Sequence, residues 1–312
     1  MAAREAQILD KVRQLGLDES LYPLDESLYK LDEDETAFFK AQTGIQDDEE
    51  LKKHLLQGQA DAYKVFPYPC IRKFAWTKLK ISRLFAYHQL LKLGREREGA
   101  ILLDIGCCFG NDARKAIADG FPIQNVVASD LHQGFWDAGH KVFRTTPETF
   151  PVPFVPGDVF DPAHLAIVPP FTAPPTTPRP NLATLTSLNP LRGYVSAVHA
   201  SSFFHLFQEE QQLHLARALA GLLAAEPGSM LSGRHAGLPE AGFRTCSSGI
   251  QGFCHSAESW KELWEGVFGE VGVQVDVEAR VFKPTGSDVT SGAELGIPES
   301  QTWWLEWVVT RL

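Results

Sequence analysis

The sequence predicts an α/β fold: a mostly parallel sheet with helices on both faces, preceded by a helical N-terminal cap. Two observations carry this reading. From Ala100 onward, short apolar runs that end in turns alternate with segments of helical period, the order expected of parallel strands joined by helical crossovers. Ahead of Ala100 the chain is acidic and helix-patterned, with 14 Asp and Glu against 7 Lys and Arg in residues 1–60.

The elements follow in chain order. Ile8, Val12 and Leu15 share one helical face, and LDESLY then occurs twice, at Leu17–Tyr22 and Leu24–Tyr29. Two copies are too few to stack as a solenoid. Acidic helical segments come next, and the charge run reads chiefly as a solvated face, with a lid over a distant site as the other reading. After Tyr68, the positions Ile71, Ala75, Leu79, Ser82, Ala86 and Leu90 step by three and four, which predicts one long helix. Strands are expected at Ala100–Asp104, Asn125–Ser129, near Val152–Val155, at Tyr194–Val198 and at Met230–Ser232. Helices are expected at Asn111–Ala118, through Phe135 and His140, and over Gln208–Leu223. Trp260, Leu263, Trp264, Val267 and Phe268 form a further helical stripe. Val273–Val281 alternates strictly, as a strand with one wet face does, and Thr302–Thr310 is the final strand. Seven prolines between Pro169 and Pro190 break the rhythm and read as a mobile surface insertion, residues 169–190. The expected division is a cap over residues 1–66 and a ligand-binding domain over 67–312.

Composition narrows the partners. A net charge of −10 argues against general nucleic-acid binding. Charges interrupt every apolar run before the length of about 18 residues that a membrane span needs. Five cysteines with no CxxC pair, and no apolar signal stretch at the start, point to reduced thiols, a cytoplasmic location and no metal site. A homodimer is left open.

The chemistry concentrates at Asp104-Ile-Gly106-Cys-Cys108-Phe-Gly110-Asn, where a strand ends and a helix begins. Glycines there allow a tight turn and bring backbone N–H groups close to a ligand. Asp130, closing the second strand with Leu131 beside it, suits the two hydroxyls of a ribose. Gly157-Asp158-Val159 follows the third strand, where a base can lie across strand ends. The Gly106–Gly110 spacing fits the GxGxxG of a nicotinamide dinucleotide site poorly. The adjacent Cys107 and Cys108 read as small residues filling a turn.

This run resembles the (D/E)xGxGxG motif of class I S-adenosylmethionine-dependent methyltransferases, with Cys108 in place of the middle glycine. PYPCI (Pro67–Ile71), LLDIGCCFGNDARK (Leu102–Lys115), ASSFFHLF (Ala200–Phe207) and GFCHSAESWKELW (Gly252–Trp264) resemble fungal methyltransferases of meroterpenoid and other secondary-metabolite pathways. The similarity runs from about residue 60 to 282. It implies a Rossmann-like, seven-stranded sheet, S-adenosyl-L-methionine as cofactor, and methyl transfer to a carboxylate or hydroxyl oxygen of a small, largely apolar metabolite.

The same resemblance implies roles. Gly106, Cys108 and Gly110 would surround the methionine moiety with Asp104 below, Asp130 and Leu131 would take the ribose, and Asp158 and Val159 the adenine. Ala200 and Ser201 would lie beside the sulfonium. Arg72 would meet a carboxylate of donor or acceptor, and Tyr68, with Phe203 and Phe204, would offer aromatic faces to the cation. His205 leads the candidates for a general base, followed by His199 and His255; a carboxylate acceptor would need none. The alternative is a methyltransferase-like cyclase, pericyclase or dehydratase that binds the cofactor without methyl transfer. A non-catalytic interaction module is the third class.

Overall fold

The computed structural model describes residues 23–245, 251–284 and 303–312. The expected helix around Ile8–Leu15 and the first LDESLY copy lie outside the described residues. Among them, four strands run parallel: β1 (Ile101–Ile105), β2 (Val126–Ser129), β3 (Val195–His199) and β4 (Met230–Ala236). β7 (Val275–Phe282) and β8 (Trp304–Arg311) complete the sheet, in the order β2-β1-β3-β4-β8-β7, with β8 antiparallel to both of its neighbours. A separate hairpin pairs β5 (Gly242–Thr245) with β6 (Gln251–Cys254).

Both sheet faces are covered, as the apolar run of β1 requires. Ile101, Leu103 and Ile105 enter a core with Trp260, Trp264 and Trp307, whereas Leu102 enters the opposite core with Ala113, Val126 and Trp136. The covering helices are α4 (Tyr87–Glu96), α5 (Asn111–Ala118), α6 (Gln133–Val142), α7 (Glu209–Ala220) and α8 (Ala257–Gly269). A third core belongs to the cap helices α1 (Glu33–Thr43) and α2 (Asp48–Val65). Their Phe38, Phe39, Leu51 and Leu55 pack with Phe109, Phe135 and Phe143 of the sheet domain.

Four expectations change. The long helix after Tyr68 is broken into α3 (Pro69–Arg72), 3-10 turns at Ala75–Thr77 and Ile81–Arg83, and α4, with Phe74 left-handed at φ 57°. Its periodic apolar positions are still mostly buried. Tertiary bonds substitute for helical ones: Asn111 donates to the Trp76 carbonyl at 2.5 Å, and the Ile81 N–H donates to Asp112 at 2.8 Å. The expected strand at Val152–Val155 reduces to a single bridge, Phe154 to Ala128, so among the described residues the sheet has six strands, against the seven expected. Its sequence PVPFVP explains this, since Pro151, Pro153 and Pro156 have no N–H for a ladder.

The proline-rich segment is irregular but anchored. Leu182 and Leu188 are buried, Arg179 donates to Asn125 at 2.9 Å, and Thr177 and Tyr194 share a hydrogen bond of 2.7 Å. The acidic front is not wholly a solvated face either. Glu35 is fully buried, bonded at 2.8 Å to both Lys78 and Arg83 while it closes the capping box of α1 with Asp32.

Candidate active site

The turn after β1 is built on alternating left-handed residues: Gly106 at φ 70°, Cys108 at φ 52° and Gly110 at φ 73°. The Ser129 carbonyl accepts from the N–H groups of Gly106 (2.8 Å) and Cys107 (3.2 Å), which pins the turn to β2. A Cβ on Gly106 would come within 2.7 Å of the Phe203 ring, so the loop after β3 rests directly on this turn. Cys108 keeps the conformation a glycine would adopt, and its N–H donates to Asp130 at 2.9 Å. Asp104 accepts from the Ala113 N–H at 3.2 Å, bracing the start of α5 from below. Burial pushes the Asp104 carboxyl up to about 7, against the pull of His199.

Asp130 is buried at the end of β2, and burial raises its pKa against the pull of backbone donors at Cys108, His132 and Leu131. The Gly157 N–H donates to the Asp130 carbonyl at 3.0 Å, which draws the Asp158 turn to the same sheet edge. Asp158 accepts from the Phe160 N–H at 3.0 Å, and Val159 is buried in the core beside it. Asp104, Gly106, Cys108, Gly110, Asp130, Leu131 and Asp158 are thus gathered at the ends of β1 and β2.

At the end of β3, His199 is buried with Nε2 3.3 Å from Asp112, underneath the turn. That carboxylate is held below its usual range: burial opposes the shift, and the His199 hydrogen bond and charge overcome it. The Ala200 N–H donates to Ser232 at 2.9 Å, and Ser201 Oγ accepts from the Arg234 N–H at 3.2 Å. Tyr68 packs on Phe66 and Phe135, with ring centroids 4.4 and 5.8 Å away. Arg72 reaches the Pro23 carbonyl at 3.1 Å.

His205 and His255 are brought together elsewhere, beyond β4, around a residue the sequence reading missed. His235, buried near the end of β4, stacks with His205 at 6.4 Å and packs against Trp260 at 4.8 Å. His255 meets Trp260 from another side at 5.2 Å, and its Nδ1 lies 2.9 Å from Ser259 Oγ. Trp307 Nε1 donates to His235 Nδ1 at 3.1 Å, so the imidazole proton sits on Nε2. Burial, then the adjacent His205 and His255, push His235 well below the usual histidine range, and burial lowers His255 to about 4. Both rings are neutral at physiological pH. The signal for His235 was the continuation of the β4 pattern past Ser232, where the expected strand stopped short.

S-adenosylmethionine fits the donor side. The carboxylate of Asp130 accepts from the backbone N–H groups of Cys108 and His132, leaving lone pairs for ribose hydroxyls. The left-handed turn presents backbone where side chains would intrude.

Residues 22–77 match the family model described as the meroterpenoid methyltransferase N-terminal domain. The chain is 33% identical over 246 residues to the O-methyltransferase phiE of Fungal sp. (strain ATCC 74256), covering 78% of this chain and 74% of that protein. It is 29% identical over 230 residues to the Asnovolin E/Chermesin D methyltransferase nvfJ of Aspergillus novofumigatus, covering 73% and 74%. Among solved structures, an S-adenosylmethionine-dependent methyltransferase from Mesorhizobium loti overlays with a TM-score of 0.40 at 14% identity, over 74% of this chain and all of that one. The chain belongs to the fungal secondary-metabolite methyltransferases, a family of class I enzymes that use S-adenosylmethionine.

Proposed function

We propose that the enzyme methylates a carboxylate or hydroxyl oxygen of a small, largely apolar secondary metabolite. One observation carries this reading: the segment after β3 connects the two halves of a transfer site. Phe203 rests on the Gly106 turn, and two residues later His205 stacks with His235 in an aromatic wall of Phe204, Trp260 and Trp307. A donor held at the turn would face an acceptor held against that wall.

In this reading Asp130 binds the ribose, Leu131, Asp158 and Val159 frame the adenine, and Ala200 and Ser201 flank the reacting centre. When bound, S-adenosylmethionine supplies an electrophilic methyl group on a sulfonium. The protein's part is alignment of the acceptor oxygen behind the C–S bond, since a near-attack geometry accounts for much of such a rate. The aromatic wall excludes water and favours an apolar acceptor. For a hydroxyl acceptor His205 takes the proton; a carboxylate is already ionised and needs no base. His199, paired with Asp112, steadies the turn from beneath.

We also propose a cytoplasmic setting and no nucleic-acid partner. The unbridged thiols of Cys107 and Cys108 and the net charge of −10 support these assignments. Among the described residues no helix is long and apolar enough to cross a membrane.

The test is calorimetric titration with S-adenosylhomocysteine, then assay of its release from S-adenosylmethionine with apolar acids and phenols. Micromolar binding that weakens at least 10-fold in Asp130→Ala, with acceptor-dependent release, is expected. Binding unaffected by that substitution would overturn the Asp130 assignment. Binding without release for any acceptor would overturn the transfer reading.

A further inference from the structure

The sheet ends at β7 on an edge that, among the described residues, no strand covers. The Leu312 N–H donates to the Gln274 carbonyl at 3.1 Å, so Gln274 turns its backbone groups toward β8. Backbone direction alternates along an antiparallel ladder. Asp276, Glu278, Arg280 and Phe282 therefore bond to β8 as well, and Val275, Val277, Ala279 and Val281 hold their N–H and C=O groups out to the open side. Natural edge strands are commonly blunted by bulges, prolines or lysines. From Val275 to Phe282 β7 has none of these, and its register with β8 is unbroken.

The side chains of β7 indicate what this edge fits. On one face Val275, Ala279 and Val281 pack on the core beside α8 yet stay only half-buried. On the other face Asp276 and Glu278 are exposed acids, and Arg280 is held in place. It donates to buried Glu306 at 3.1 Å and lies over the Phe85 and Phe282 rings, 5.2 and 5.4 Å from their centroids. Even so, 58% of the Arg280 side chain is exposed. Two copies of one strand can pair antiparallel about a two-fold axis, and like charges directly opposite disfavour a register. An axis through Glu278 sets that acid against itself. One through Val277 opposes Asp276 to Glu278, and one through Arg280 opposes arginine to arginine. An axis through Ala279 instead sets Glu278 of each copy against Arg280 of the other, and Val277 against Val281 on the apolar face. Ala279 is also one of the residues whose backbone groups face outward, so both are exchanged at the axis. Glu278 and Arg280 then take non-hydrogen-bonded positions, where Cα atoms are about 4.5 Å apart and side chains approach most closely.

We propose that the protein self-associates through β7, two copies joining their sheets antiparallel about an axis at Ala279. The charge pattern that would repel a second copy in the neighbouring registers attracts it in this one. Arg280 is already fixed by Glu306 and two rings, so pairing it with Glu278 of the second copy costs little side-chain freedom. The half-buried valines gain cover from their counterparts, and the outward backbone groups gain partners. β7 lies at the opposite edge of the sheet from β2, so this surface stands independently of the methyl-transfer reading.

The test is sedimentation equilibrium of the full chain over a dilution series, with the melting temperature of every variant recorded beside it. The unmodified protein is expected to be a dimer at about 50 μM and to dissociate on dilution. Glu278→Arg should weaken the dimer at least 10-fold by opposing arginine to arginine, and Arg280→Glu should do so by opposing acid to acid. Mixed one to one, the two variants should associate again, because the changed residue of each meets the opposite charge on the other. Arg280→Glu also places a carboxylate beside Glu306. If its melting temperature falls for that reason, Ala279→Pro takes its place, since it removes at the axis an N–H that β8 does not use, and should weaken the dimer by as much. A monomer at about 50 μM would overturn the proposal. So would a dimer indifferent to Glu278→Arg and Ala279→Pro, or folded charge variants that associate no better mixed than alone.

Discussion

Cys108 shows how much a single backbone position can carry. It holds an L-residue at φ 52° where the family motif has glycine, at a cost of roughly 1–2 kcal/mol. Its amide supports Asp130, so the strain is maintained within the donor site. Cys108→Gly relieves that strain while loosening the unfolded chain, and thermal unfolding should change by less than about 1 kcal/mol. Cys108→Val, β-branched and left-handed, should lose about 2 kcal/mol and bind S-adenosylhomocysteine more weakly in calorimetry. Burial also raises the thiols of Cys107 and Cys108 well above their usual range. Iodoacetamide at pH 8 should therefore label both far more slowly in the folded enzyme than in guanidinium. This fits the reading of the pair as turn-filling residues. The donor residues were legible in the sequence because one turn and two strand ends place them, all within a short stretch of chain. His235 was not, because only the far end of β4 in the folded sheet brings it beside His205.

At the scale of elements, the N-terminal helices are fastened to the sheet domain by a charge cluster. Glu35 closes the capping box of α1 and also receives Lys78 and Arg83, and Arg83 reaches Asp32 as well. The Arg83 carbonyl accepts from Arg234 at 3.3 Å, and Arg234 leads on to buried Glu306 at 3.7 Å. Glu35→Gln should cost about 3–5 kcal/mol in denaturant unfolding, because it leaves Lys78 buried without its counter-charge. The same connections explain two mistaken expectations. The spacing of Ile71 to Leu90 correctly marked buried positions, but side chains of α5 supply the bonds that would otherwise have made a helix. At PVPFVP the pattern marked the right edge of the sheet, but proline permitted only one bridge of it.

For the whole molecule, the signs of the pKa shifts set the response to acid. His255 is lowered from about 6.5 unfolded to about 4 folded, so its contribution is complete above 6.5 and is lost as pH falls toward 4. The loss is on the order of 3 kcal/mol at most. His235 acts in the same direction. Asp104, raised to about 7, does the reverse: it favours the folded chain at low pH and loses that advantage as pH rises through 7. Asp130 is raised like Asp104, but four histidines (His140, His164, His235 and His255) are lowered, so thermal stability should fall on acidification from pH 6.5 to 4.5, and His255→Gln should fall less steeply. The cap and the sheet domain share one core at Phe109, whose ring stacks on Trp76 at 4.2 Å. A chain beginning at Pro67 should consequently lose S-adenosylhomocysteine binding along with its cooperative melting transition.

The two halves of the site also differ in how far the chain must travel to build them. The turn and the Asp130 carboxylate proposed to hold the donor arise between Ile101 and Asp130 from one strand–helix–strand unit of largely local contacts. The aromatic wall proposed for the acceptor draws His205, His235, Trp260 and Trp307 from separate stretches, and Trp307 arrives on a strand that must insert between β4 and β7. Local contacts close quickly, whereas distant ones carry a larger loop entropy and form late. During refolding the nucleoside half should therefore mature before the metabolite half exists, so that nascent molecules hold a methyl donor before they have anything to give it to.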